Sequence, residues 1–195
     1  YVVPKGEGYL IDGSFGDTKD MLSYYSKLTG VKYPWPKYAQ DAMYNFGGGM
    51  ENVSATTLGE GSLTEPREGY FNMASLNSHE LGHQWFGDFV TCKDWGNIWL
   101  NESFATYFAT LWTEHDEGID EATWQRHREA ESYMGEDARY RRSIVNYRYD
   151  KPEVMFDSHT YPKGGRVLHM LRYELGDDLF WRTMRLYAET NQFRT

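Results

Sequence analysis

Along residues 97–114, the apolar side chains Leu100, Phe104, Tyr107, Phe108 and Leu111 recur three and four positions apart. That is the period that turns one face of a helix toward a core, and it predicts a helix over 97–114. Similar patterns predict helices over 121–134, 165–175 and 177–190, with Gly176 separating the last two. Near the start, Thr18 followed by Lys19, Asp20, Met21 and Leu22 reads as a capped helix that continues to Leu28 and stops at Gly30. Asn72 stands as the cap of another, running through Met73, Leu76, Leu81 and Phe86 to Gly87.

The remaining segments lack that period. Residues 1–11, with Pro4, Gly6 and Gly8, predict an extended lead-in strand and turns. Tyr33-Pro34-Trp35-Pro36 cannot be helical, and residues 38–46 alternate loosely, as a strand running into Gly47, Gly48 and Gly49. Residues 51–69, rich in Ser, Thr, Gly and Glu, read as a strand edge and surface loop. The second half is thus mainly helical, and there is no internal repeat, low-complexity tract or clear interdomain linker.

Composition narrows the function classes. With 195 residues, 40% of them hydrophobic and 17% aromatic, the chain can bury a core and lies far from the disordered class. No apolar run approaches the roughly 18 residues of a membrane-spanning helix, in line with a mean hydropathy of -0.73. Acidic residues outnumber basic ones, 29 to 20, and the net charge of -9 repels a polyanion, which argues against a nucleic-acid partner. The single cysteine, Cys92, excludes an internal disulfide and a cysteine-built zinc knuckle, and nothing but Lys93 stands beside it to activate a thiol. The chain opens on Tyr1 with no basic-then-apolar segment, so it is expected to be a piece of a larger protein, with any targeting peptide lying upstream.

The chemistry concentrates in His79-Glu80-Leu81-Gly82-His83. On a helix, His79 and His83 lie about 40° apart around the axis and can reach one point, which can hold zinc. Glu80, about 100° around from His79, can reach a water beside the metal without being a ligand, which suits a general base. Alone, the motif is equally compatible with two surface histidines on a solvated helix. Eighteen residues separate His83 from Glu102, which lies about 200° around its own helix from Leu100 and is therefore expected to face away from that helix's core contacts. Two helices side by side would supply His79, His83 and Glu102 and leave a fourth tetrahedral position open, as catalytic zinc sites do. His115, His127, His159 and His169 have no partner at ligand spacing and are read as structural. Gly47 to Gly49 are not followed by Gly-Lys-Ser/Thr, which excludes a phosphate loop.

His79-Glu80-x-x-His83, then eighteen residues and Glu102, preceded upstream by Gly48-Gly49-Met50-Glu51-Asn52, closely resembles the aminopeptidase N-like family of gluzincin zinc metallopeptidases, which includes the leukotriene hydrolases. The similarity runs from Tyr33-Pro34-Trp35 through His83-Gln84-Trp85-Phe86-Gly87 to Tyr161-Pro162-Lys163-Gly164. The resemblance implies an α+β fold, a thermolysin-like catalytic domain over residues 1–195 with a small mixed sheet beside a mostly helical lobe. It further implies that residues 1–17 lead in from a preceding β-domain and that a helical domain follows, both flanks being partners in the full enzyme. One Zn2+ per chain would be held by His79, His83 and Glu102, with Glu80 as general base and Tyr161 stabilising the oxyanion. Glu51 would bind the substrate's free α-amine, and Gly48, Gly49, Met50 and Asn52 would run beside the substrate chain. Two positions depart from the family pattern: Ser103 stands where many members have glycine, and Gly49 replaces the commoner alanine. The activity implied is hydrolysis of the N-terminal peptide bond of peptides with a free N-terminus. A leukotriene-type epoxide hydrolase shares the same residues, and a peptide-binding fragment without catalysis is the alternative from another class.

Overall fold

The computed structural model describes residues 1–63 and 73–195. In chain order these form α1 (Ile11–Phe15), α2 (Thr18–Thr29), β1 (Ala39–Met43), β2 (Gly49–Met50), β3 (Ala55–Gly59), α3 (Ala74–His83), α4 (Trp99–Asp116), α5 (Ile119–Asp137), α6 (Pro162–Leu175) and α7 (Asp177–Asn191), with short 3-10 turns between. The fold class is α+β, a small mixed sheet beside a helical lobe. In the sheet, ordered β1-β3-β2, β3 runs parallel to β1 from Ala39↔Ala55 to Met43↔Gly59 and antiparallel to β2 at Gly49↔Leu58.

The helical lobe assembles around α4. Leu81, Trp85 and Phe86, at and just past the end of α3, pack with Phe104, Phe108 and Leu111 of α4, Tyr25 of α2 and Phe180 of α7. Burying one such side chain stabilises the fold by about 1.5–3 kcal/mol. The Tyr25 hydroxyl, fully inside, lies 2.9 Å from the Phe108 carbonyl and 3.2 Å from that of Ser78, so this polar tip enters the core without an unpaired donor.

Several expectations are corrected. Residues 55–59 are the central strand rather than an edge: Thr56 and Leu58 are fully buried, and the polar Thr56 is tolerated because its hydroxyl pairs with that of Tyr38 at 2.7 Å. Residues 1–11 supply only one bridge to the sheet, Val2↔Asp41, before a 3-10 turn at Gly8–Leu10 and helix α1. Helix α2 begins and ends as its pattern predicts, with Gly30 left-handed at φ 70°, but the Thr18 hydroxyl donates to Gln40 Oε1 at 2.9 Å instead of capping the helix. Asn72 lies outside the described residues. Helix α3 ends at His83, four residues before Gly87, although apolar side chains continue to Phe86. At Gly87 the chain turns at φ 150°, and a Cβ there would stand 2.9 Å from His83 Nδ1, so glycine permits the close pass over that ring. Finally, α4 has no solvent face at its start: Asn101, Glu102, Ser103, Phe104 and Ala105 are all buried, so Glu102 points into a packed interface between helices.

Candidate metal centre

Helix α3 turns His79 and His83 toward the first turn of α4, where Glu102 sits. Close helix approach makes this possible: a Cβ on Gly82 would lie 3.0 Å from Phe108 Cβ, so a larger residue at the crossing would push that neighbour aside. His79 Nε2, His83 Nε2 and Glu102 Oε2 are separated by 3.2, 3.3 and 3.1 Å. Ligand atoms about 2.0–2.1 Å from a tetrahedral zinc stand about 3.3–3.4 Å apart, so the donor set fits that ion in both chemistry and spacing. His83 Nδ1 faces the Phe86 carbonyl at 3.1 Å, which turns Nε2 toward the shared point.

Electrostatics agree. Burial alone works against protonating His83, yet the charge and hydrogen bond of Glu102, with Glu51 and Glu80 nearby, push its pKa up to about 10. Burial lowers that of His79. Glu102 is held below the usual carboxylate range: burial opposes this, but the two imidazoles outweigh it. The pocket thus selects one positive charge at the meeting point of the three side chains.

Glu80 lies beside the triad and is buried, with Oε2 lacking any hydrogen-bond partner among the described residues. Burial, reinforced by Glu51 and Glu102, raises its pKa to about 8 against the pull of His83. A Cβ on Gly49 would meet the Glu80 carboxyl, so the glycine lets this side chain lie against the β2 backbone. Glu51, the residue after β2, brings Oε1 to 4.0 Å from His83 Nδ1. Tyr161 stacks on His79 with centroids 5.9 Å apart, and burial together with the Glu102 carboxylate drives its phenol pKa far up, so it stays protonated.

Two cavities share Gly49 and Tyr161 in their linings. One, about 530 Å³, is lined by Met50, Glu51, Trp95, Glu102 and Phe156. The other, about 640 Å³, is lined by Gly48, Gly49, His79, Glu80 and Glu129. The structure therefore brings together His79, Glu80, His83, Glu102, Glu51, Gly48, Gly49, Met50 and Tyr161, whereas Asn52 turns its amide to Thr57 Oγ1. A larger cavity of about 770 Å³, among Tyr24, Trp112, His115 and Trp181, contains none of these residues.

The other histidines lie elsewhere. His115 stacks on Tyr24 with centroids 4.2 Å apart, His127 pairs with Glu131, and His169 borders Tyr107. His159 lies between Asp137 and Asp157 near Glu136, a grouping that also has metal-like composition. Arg142 already engages Asp157, donating to both of its oxygens at 2.5 and 2.7 Å and to Thr160 Oγ1 at 2.8 Å, an ion pair that holds the segment leading into Tyr161. Burial, with Asp94 adding to it, pushes the Cys92 thiol up to about 11. Sequence reasoning missed three supports: Arg142, Ser103, whose hydroxyl donates to the Thr160 carbonyl at 2.6 Å, and Gln84. Gln84 alone carried a signal, standing four residues after Glu80 and so on the same side of the helix.

The peptidase family M1 domain matches residues 14–195. The aminopeptidase N of Lactobacillus helveticus is 34% identical over 195 residues, covering 94% of this chain and 23% of its own length. That of Mus musculus is 30% identical over 208 residues, 98% of this chain and 21% of its own. Among solved structures, an M1 zinc metallopeptidase mutant from Deinococcus radiodurans bound to a Tyr-Ser-Ala substrate superposes with a TM-score of 0.73 at 29% identity, over all of this chain and 38% of that one. Yeast LTA4 hydrolase in complex with bestatin reaches 0.84 at 22% identity, over 96% and 31%, a likeness of fold. The chain spans less than a quarter of the curated relatives' length, yet nearly all of it aligns with them, and it belongs to the M1 family of peptidases.

Proposed function

We propose that this chain carries the catalytic centre of a zinc aminopeptidase, one ion per chain held by His79, His83 and Glu102. The observation that carries this reading is the convergence of three ligand-type atoms within 3.1–3.3 Å, with Glu80 beside them and its Oε2 without a hydrogen-bond partner among the described residues. Zinc bound there would polarise the scissile carbonyl and acidify water at its open position. Glu80 takes the proton of the attacking water at its carboxylate and delivers it to the departing nitrogen. Tyr161, kept protonated by burial and the Glu102 charge, donates to the carbonyl oxygen as negative charge gathers on it. Glu51 pairs with the substrate's α-ammonium group, which positions the first peptide bond over the centre. An acylated N-terminus would leave that carboxylate without its counter-charge in a half-dry cleft. The 530 Å³ cavity beside Glu51 lies where the first residue's side chain would go.

The longer relatives support placing this domain within a larger enzyme. Val167, Met170, Leu171 and Tyr173 of α6 and Leu186 of α7 are exposed apolar residues, a surface suited to cover by flanking domains. The deciding experiment compares aminoacyl amides with their N-acetylated forms on full-length, metal-analysed enzyme. Strong preference for the free amine, reduced in Glu51→Ala, is expected; equal rates would make the protein an endopeptidase.

A further inference from the structure

We infer that Gln84 is a positioning residue for Glu51, fixing the amine-binding carboxylate relative to the metal-binding helix; this rests on the aminopeptidase reading above. Gln84 is fully buried directly after α3. Its Nε2 donates to the Glu51 carbonyl at 3.0 Å and reaches that of Asn52 at 3.5 Å. Its Oε1 accepts the Ser54 N–H at 2.9 Å, with the Tyr33 hydroxyl at 3.4 Å. β2 ends at Met50 and β3 starts at Ala55, so the Glu51 carbonyl and the Ser54 N–H lie outside the sheet ladder and take their partner from Gln84, whereas the Asn52 carbonyl also accepts the Ala55 N–H at 2.9 Å. The primary amide supplies a donor and an acceptor at once without carrying charge.

The loop depends on such a clamp. Ser54 is left-handed at φ 60°, a conformation that a non-glycine residue keeps only where its surroundings hold it. The Glu51 carboxylate, 4.0 Å from His83 Nδ1, is beyond hydrogen-bond length of that ring, so this contact does not fix it and the path of its backbone sets where it can reach. Because Gln84 continues the helix that bears His79, Glu80 and His83, it sets the distance between the amine subsite and the reacting bond.

The test uses full-length enzyme carrying Gln84→Glu or Gln84→Met. The first keeps the size and the acceptor for Ser54 but sets an oxygen against the Glu51 and Asn52 carbonyls; the second keeps the shape and removes both partners. Each variant is expected to retain one zinc and its fold, while KM for an aminoacyl amide rises roughly tenfold, kcat stays within about twofold, and preference over the N-acetylated substrate falls with it. Folded, zinc-loaded variants with unchanged KM and preference would overturn the inference. Loss of zinc or of folding in both would overturn it too, since the amide would then support the domain rather than the loop. A wild-type enzyme indifferent to acetylation would instead bring down the aminopeptidase reading itself.

Discussion

Burial decides what each polar side chain around the cleft can do. Glu80 is inside, beside the triad yet outside its mutual contacts, so replacing it should disturb chemistry and leave the metal alone. Glu80→Gln is expected to keep one zinc per chain while turnover falls about 10²–10⁴-fold, the usual worth of a positioned acid–base group; undiminished turnover in a zinc-loaded variant would remove Glu80 from the mechanism. Cys92 shows the opposite case, a reactive residue type silenced by its surroundings. Its N–H is held by Asn101 Oδ1 at 3.0 Å, and burial raises its thiol pKa to about 11. The raised value leaves the thiol protonated at neutral pH, so at pH 8 the thiolate fraction is on the order of 10⁻³, against about a quarter for an ordinary cysteine. Alkylation by iodoacetamide, followed by mass spectrometry, should therefore run on the order of a hundredfold slower in the folded chain than in urea, and speed up about tenfold per pH unit toward pH 11. Equal rates in the two states would show that burial does not protect the thiol.

At the scale of elements, the centre depends on how closely α3, α4 and α6 approach. Ser103 of α4 and Gly164 of α6 interlock: a Cβ on Gly164 would come within 1.7 Å of Ser103 Oγ and 2.5 Å of its Cβ, but 3.6 Å from its Cα. Gly164→Ala alone should thus destabilise the protein by about 1–3 kcal/mol through overpacking. In a Ser103→Gly background the obstructing atoms are gone and most of that penalty should vanish, a coupling that a double-mutant cycle in urea reads directly. Additive effects would mean that the helices separate without resistance. The same example shows what the sequence made legible. Helices α4 to α7 follow from apolar period and glycine punctuation, and both histidines with Glu80 follow from spacing alone. The direction of Glu102 did not, because a helical wheel shows which residues share a face but not that neighbouring helices enclose every face. β3 was hidden for a related reason: Thr56 looks like a surface residue until Tyr38, 18 positions away, supplies its partner. The end of α3 was obscured because Trp85 and Phe86 continue an apolar run, although the backbone has already turned to pass beneath the His83 ring.

For the whole molecule, the site is where local chemistry and global stability meet. A chain with net charge -9 gathers Glu51, Glu80 and Glu102 around His83, and the proton drawn onto that imidazole offsets the carboxylates only in part. A divalent cation held there would satisfy the cluster more fully and tie α3 to α4, whose proposed ligands are 23 residues apart at the extremes. Since the unfolded chain lacks the site, binding adds to folding stability, by about 4 kcal/mol when free zinc exceeds its dissociation constant a thousandfold. For a domain of this size each kcal/mol raises the melting temperature by about 2–4 °C, so stripping the metal should lower it by roughly 10 °C. Thermal melts followed by circular dichroism, on zinc-loaded and chelator-treated protein with the metal content measured in both, test this. His79→Ala should melt at one temperature under both treatments, because the variant has no complete site for zinc to fill. If wild-type protein lost its metal and melted unchanged, the ion would contribute chemistry without holding the helices, and the stability of the α3–α4 junction would have to come from its packed side chains alone.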